Sequence, residues 1–252
     1  MKLTRKQLRK LILESLDIHT VTEDLGSMDP HEAYGIGYQK GQLKKTIIYC
    51  DMDGVVADFE TGATSLINKH LEQAAIPGWS SASSTMRSSV RKIHRELGPD
   101  FRVPQGTDLR SHPAIKRMSY AVIGQDPGGF FLSLPPLPDG TQMLWPFLNS
   151  LNMQVNMLSA PITSKTGMTA EQGKRLWVAE HLNPQPADVI IRSAEEKQSF
   201  AIQQDGTPNI IIDDKHSTIE QWNSVGGIGI LHTPGDSERT IHILKSIINE
   251  VN

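Results

Sequence analysis

Five short runs rich in Ile and Val constrain this chain more than any other feature: TIIYC at 46–50, QVNML at 154–158, DVIIR at 188–192, NIIID at 209–213 and GIGIL at 227–231. Each has strand length, and most are apolar almost throughout rather than alternating. An alternating strand has one wet face. A continuously apolar strand has none and needs cover on both sides. Amphipathic stretches supply that cover: TAEQGKRLWVAEHL at 169–182, STIEQW at 217–222 and ERTIHILKSIINEV at 238–251, where Leu244, Ile247, Ile248 and Val251 share a face. Thr169 with Gln172, and Ser217 with Glu220, have capping-box spacing. Strands of this kind alternating with helices predict an α/β fold, a doubly wound parallel sheet with helices on both faces.

The interval between the first and second runs is too long for one crossover. Residues 60–138 hold at least two helical patterns, TSLINKHLEQA and SSVRKIHRELG, and a loop-rich stretch ending GGFFLSLPPLPDG. An insertion at that point reads as a cap over the carboxyl end of the sheet. The expected organisation is a basic helix and linker over 1–45, a core formed by 46–59 and 139–252, and a cap over 60–138. In the N-terminal helix Leu8, Leu11 and Ile12 face one way, and Lys6, Arg9 and Lys10 the other. That helix reads as a solvated appendage or an oligomer contact, with docking or nucleic-acid binding as the sharper alternative. It does not read as a signal peptide, because Glu14 and Asp17 leave only a very short apolar core.

Composition narrows the partners. With 38% hydrophobic and 21% charged residues, the chain matches soluble globular proteins. A net charge of −3 gives no global field for nucleic acid, which is not expected as a partner, although a local basic patch stays open. Cys50 is the single cysteine, so no intramolecular disulfide forms, in keeping with a reducing, cytoplasmic location. No run approaches the roughly 18 apolar residues that cross a bilayer. No membrane partner is expected, and a homodimer is left open.

The loops after parallel strands gather at one rim, where ligands bind. Asp51 and Asp53 follow the first run, Ser159 the second, Lys197 lies after the third, and Asp213 and Asp214 close the fourth. Clustered acids repel unless a cation holds them. Oxygen ligands without Cys or His favour Mg²⁺ over zinc, with Asp51, Asp53, Asp213 and Asp214 as candidate ligands. The set suits phosphoryl transfer. Asp51 is the candidate nucleophile and Asp53 the acid and base; Ser159 donates to a phosphoryl oxygen, and Lys197 neutralises charge. Gly54 lets the backbone turn tightly under the phosphate.

DMDGVVAD at 51–58 resembles the first motif of the haloacid dehalogenase superfamily, D-x-D-G-x-x-x-D. LSAP at 158–161, Lys197 and IIIDD at 210–214 resemble its second, third and fourth motifs, in order. Three more stretches, GFFLSLPPLPDG at 129–140, KRLWVAEHL at 174–182 and IIIDDKHSTI at 210–219, make the closer resemblance one to the 5′(3′)-deoxyribonucleotidases. The resemblance covers about residues 46–232. It implies a Rossmann-like core with a small helical cap inserted after the first strand. It also implies Mg²⁺-dependent release of phosphate from nucleoside monophosphates, with Phe59 lining the nucleoside pocket and Phe130 and Phe131 at the cap–core junction. Two positions depart from the usual pattern. Ala160 stands where the family has a hydroxyl, and Glu195 where it often has an arginine. Both bear on phosphate and sugar contacts. Other small phosphate esters and nucleic-acid 3′-phosphate ends remain alternative substrates. A catalytically idle binding module is the reading from another class.

Blander roles are expected elsewhere. Asp58 reads as a turn residue, Trp145, Trp177 and Trp222 as core, and Trp79 as a cap residue. Lys165, Lys174 and Lys215 also lie near the rim, and Lys174 is expected on a solvated helix face.

Overall fold

A computed structural model describes residues 45–74, 84–109, 111–162 and 168–249. The five apolar runs form one sheet: β1 (Ile48–Cys50), β2 (Val155–Ser159), β3 (Val189–Ile191), β4 (Ile210–Asp213) and β5 (Ile228–Leu231). Their order is β3-β2-β1-β4-β5, and all pairings are parallel. The doubly wound, Rossmann-like α/β fold is therefore present. β1 lies at its centre, with Ile48 level with Val155 of β2 and Ile210 of β4.

The strands are apolar throughout because both faces are buried. Successive side chains point to opposite faces of a strand. Ile48 and Cys50 of β1, with Ile210 and Ile212 of β4, enter one core, which also contains Leu144, Leu148, Leu244 and Ile247. Tyr49 and Ile211 point the other way, into a second core with Leu158, Ile219 and Trp222. Trp145, Trp177 and Trp222 are buried as expected, and each indole N–H donates to a carbonyl: Pro184 (2.9 Å), Leu134 (2.8 Å) and Asn209 (3.0 Å) respectively.

Between β1 and β2 run α1 (Phe59–Ala74), α2 (Ser84–Leu97), α3 (Pro113–Ile123), α4 (Pro127–Leu132), a π-helical turn (Gly140–Leu144) and α5 (Trp145–Ser150). The chain continues with α6 (Ala170–His181) after β2, α7 (His216–Ser224) after β4 and α8 (Ser237–Asn249) after β5. α2 and α3 pair antiparallel. His112 Nε2 lies 3.7 Å from Glu96 at one end, and Gln125 Nε2 lies 3.8 Å from the Met86 sulfur at the other.

Several local expectations change. α4 forms inside the stretch read as loop, because Asp126 accepts the Gly129 N–H at 3.0 Å and Pro127 occupies the first turn. The Thr169–Gln172 capping box forms, with bonds of 3.2 and 3.0 Å. The Ser217–Glu220 box does not. Asp213 takes the Lys215 N–H at 2.9 Å, so the helix starts at His216 and Ser217 falls inside it. Asp58 accepts the Thr61 N–H at 3.0 Å, the turn role expected of it. The expected N-terminal helix, Trp79 and Lys165 lie outside the described residues. Among the described residues no helix is long and apolar enough to cross a membrane.

Candidate active site

Asp51 continues β1 by one residue, its N–H donating to Ile212 O at 2.8 Å, so it stands beside the end of β4. β1 leads to β2 on one side and pairs with β4 on the other. This is the switch point where open α/β sheets bind ligands. The chain then turns sharply: Met52 O accepts the N–H groups of Val55, Val56 and Ala57 at 3.3, 3.0 and 2.9 Å. Gly54 makes the turn at φ +75, and a Cβ there would fall 2.7 Å from Asp214 Oδ2. Glycine is required both for the left-handed conformation and for the approach of Asp214.

Two buried lysines organise the acids. Lys197, from the short 3₁₀ turn Lys197–Phe200, lies 3.1 Å from Asp51 Oδ2 and 2.7 Å from Asp213 Oδ2. Lys174 on α6 lies 2.6 Å from Asp53 Oδ2 and 2.7 Å from the Ser159 hydroxyl, which in turn donates to Asp51. The result is one connected run: Asp53, Lys174, Ser159, Asp51, Lys197, Asp213. Oxygens of Asp51, Asp213 and Asp214 come within 4.8 Å of one another. Asp53 is not in that trio, because its carboxylate is turned to Lys174.

The electrostatics separate the two motif acids. Burial pushes the Asp51 carboxyl up, but Lys197, then Lys174, the Ser159 hydroxyl and the Met52 N–H outweigh it and hold Asp51 below its ordinary value. At Asp53 burial wins: despite Lys174, and with the Asp51 charge adding to burial, its carboxyl sits above its ordinary value. Asp53 Oδ1 is buried without a hydrogen-bond partner among the described residues. Asp213 is pushed up to about 6, by burial first and the Asp51 charge second. Burial alone would lower the Lys197 ammonium, but Asp51 and Asp213 hold it above its ordinary value. Asp51 and Asp213 compete for this one lysine. Asp51 is the better neutralised, having Lys174 and Ser159 as well, and Asp213 carries the excess negative charge. Burial, chiefly, raises the neighbouring Cys50 thiol and keeps it protonated.

Of the remaining candidates, Phe59 opens α1 and Phe130 lies on α4. The Phe59 ring at the start of α1 meets Phe130 edge-on at 5.5 Å, and Phe131 lies 5.2 Å from Phe130. Ala160 follows Ser159 directly, half-buried, and offers no hydroxyl. Glu195 is exposed.

Lys174 is the residue the sequence reading misplaced. It is fully buried, not on a solvated face. Its helix buries Ala170, Gly173, Lys174, Trp177 and Val178. That is a 3.6-residue stripe with a lysine where an aliphatic residue would ordinarily stand. Gly173 brings the helix against α4, since a Cβ there would fall 2.2 Å from Gly128 O. The Lys174 ammonium also lies 4.1 Å from the Phe131 ring centroid, a cation–π contact.

The parallel sheet, the switch-point acids and the order of the four motifs define a class, and the chain resembles the haloacid dehalogenase superfamily phosphatases. Within them it resembles the 5′(3′)-deoxyribonucleotidases. The cytosolic-type 5′(3′)-deoxyribonucleotidase of Homo sapiens is 26% identical over 187 residues, 74% of this chain and 79% of that one. A Bordetella bronchiseptica protein provisionally named for the same activity is 27% identical over 151 residues, 60% of this chain and 67% of the relative. Among solved structures, a hydrolase from Streptococcus pneumoniae TIGR4 has a TM-score of 0.45 at 11% identity, covering 79% of this chain and 98% of that one. No protein-family model matches the chain.

Proposed function

We propose that this chain is a Mg²⁺-dependent phosphomonoesterase working through an aspartyl-phosphate, with nucleoside 5′-monophosphates, deoxyribonucleotides included, as substrates. The observation that carries the reading is geometric: Asp51 and Asp53 at the end of β1 are each held by a buried lysine, Lys197 at 3.1 Å and Lys174 at 2.6 Å, beside Asp213 and Asp214, with Asp51 held down and Asp53 pushed up. Environments that drive two acids apart divide their roles, one ionised for attack and one protonated for donation.

In the first step an Asp51 carboxylate oxygen bonds to phosphorus while the bond from phosphorus to the ester oxygen breaks. The leaving oxygen takes the Asp53 proton. In the second step Asp53, now a carboxylate, removes a proton from water as the water oxygen attacks phosphorus. The Asp51–phosphorus bond breaks and inorganic phosphate leaves. Lys197 and Ser159 hold Asp51 in place, and Lys174 orients Asp53 through its 2.6 Å bond. The donor set fits a hard divalent cation: three carboxylates and no Cys or His, clustered within 4.8 Å. Asp51, Asp213 and Asp214 would hold Mg²⁺, which when bound neutralises charge on the phosphoryl oxygens.

The substrate class is supported by the relatives' names and by the Phe59–Phe130 pair, which suits a nucleobase or sugar face. The test is phosphate release, with and without Mg²⁺, from nucleoside 5′- and 3′-monophosphates, sugar phosphates, 3′-phosphorylated oligonucleotides and a generic aryl phosphate. Preferential, Mg²⁺-dependent release from nucleoside monophosphates that is lost in Asp51→Asn is expected. Equal rates across the panel would remove the nucleotide assignment alone. No release beyond that of Asp51→Asn would remove the enzyme reading.

A further inference from the structure

The overall charge conceals a strong local imbalance. Residues 84–123 carry eight Lys and Arg against three Asp and Glu, in a chain whose net charge is −3. Helix geometry concentrates that excess. α2 buries Met86, Ser89, Val90 and Ile93, and exposes Arg91, Lys92 and Arg95 on the opposite face. α3, paired antiparallel with it, buries Ile115, Met118 and Val122 and exposes Lys116, Arg117 and Tyr120. The one acid among these, Glu96, sits at the end of the hairpin beside Arg95 and His112. Tyr120 is 54% exposed, a large aromatic that core packing does not explain.

We infer that the solvent face of α2 and α3 is a docking surface for single-stranded nucleic acid. Five cations on two neighbouring helices match a phosphate backbone, and a protruding aromatic beside them matches an unstacked base. A membrane surface fits less well. The exposed positions of α2 are Ser84, Ser88, Arg91, Lys92, Arg95 and Glu96, with no apolar side chain to enter the acyl boundary. An acidic protein would meet the charge but would bring no base to Tyr120. None of these residues belongs to the candidate catalytic set, so the surface and the phosphatase chemistry are separately testable.

The test is fluorescence anisotropy of the full chain with a labelled single-stranded oligothymidylate of about 16 nucleotides. Neutralising five phosphates predicts affinity falling about a hundredfold between about 50 and 200 mM salt. Arg91→Glu, Lys92→Glu and Arg95→Glu together should weaken binding about tenfold or more. Tyr120→Ala should weaken it about fivefold or more and leave the salt slope unchanged. Unaltered phosphate release from a small ester will show that these variants fold. Absence of salt-sensitive binding by the wild type would overturn the inference, as would equal binding by the triple variant. Loss in the triple variant with Tyr120→Ala unaffected would replace nucleic acid by a generic polyanion and overturn the assignment. So would binding to phosphatidylglycerol vesicles that the oligonucleotide does not displace.

Discussion

Lys174 Nζ lies 2.6 Å from Asp53 Oδ2, wholly buried, with the Ser159 hydroxyl 2.7 Å away. One lysine thus touches two of the three motifs that would meet a phosphate, and it sets how far the Asp53 carboxyl rises. Lys174→Met should lower kcat/KM by about 10²–10³, in the range seen when one preorganised donor is removed. It should also move the alkaline limb of the pH profile upward. Lys174 pulls the Asp53 proton affinity down, so without it Asp53 keeps its proton to higher pH. A lower rate with an unmoved limb would leave Lys174 only a packing role.

Asp213, pushed up to about 6, must be deprotonated to hold a cation. The Mg²⁺ concentration for half-maximal activity should rise as pH falls below about 6, approaching about tenfold per unit. Above about 7 it should be nearly flat. Chelation should abolish activity and added Mg²⁺ restore it. Activity that survives exhaustive chelation would contradict the assigned ligands.

Lys197 separates two buried carboxylates, 3.1 Å from Asp51 and 2.7 Å from Asp213. Lys197→Met takes the bridging ammonium from both, leaving Asp51 to Lys174 and Ser159 and Asp213 to the Lys215 N–H, and should cost about 3–5 kcal/mol at neutral pH. The sign of its pH dependence follows from linkage. A carboxyl raised above its unfolded value of about 3.9 favours folding below that value, and this stability is lost as pH rises through the folded value. Asp213 already behaves so between about 3.9 and about 6, and the variant should extend the window to Asp51. Urea unfolding at several pH values should therefore show the variant's deficit shrinking toward acid. A constant deficit would contradict it.

Gly54→Ala should destabilise the fold by about 1–2 kcal/mol, from the left-handed backbone at φ +75. It should also weaken Mg²⁺ activation, because the new methyl falls 2.7 Å from Asp214 Oδ2. Thermal unfolding with and without Mg²⁺ separates the two effects. Unchanged metal dependence would show that Asp214 has room to move.

The sheet was legible because its signal is local: five short apolar runs need only hydrophobicity and length to be seen, and all five pair. Asp51, Asp213 and Asp214 were legible because parallel strands deliver their carboxyl ends to one rim. Lys174 was not, since hydropathy reads a lysine as surface. Only the stripe through Ala170, Gly173, Trp177 and Val178 marks it as inward. α3 was missed although its His112 cap, Pro113 start and Gly124 end are visible in sequence, because the insertion around it carries no strand to frame it. The Ser217–Glu220 spacing misled because Asp213, only two residues upstream, accepts the Lys215 N–H and the helix starts before Ser217.

The account rests on covalent attack by Asp51, and a trapped phosphoenzyme tests that most directly. Asp53→Asn should slow hydrolysis of the intermediate, while an aryl leaving group departs without the Asp53 proton, so that acid quenching after exposure to a ³²P-labelled aryl phosphate and Mg²⁺ captures it. Label that is labile to hydroxylamine and maps to Asp51 in the peptide 46–60 is the predicted result. Turnover by the wild type with no label on Asp51 in either protein, or phosphate release by Asp51→Asn at the wild-type rate, would contradict it.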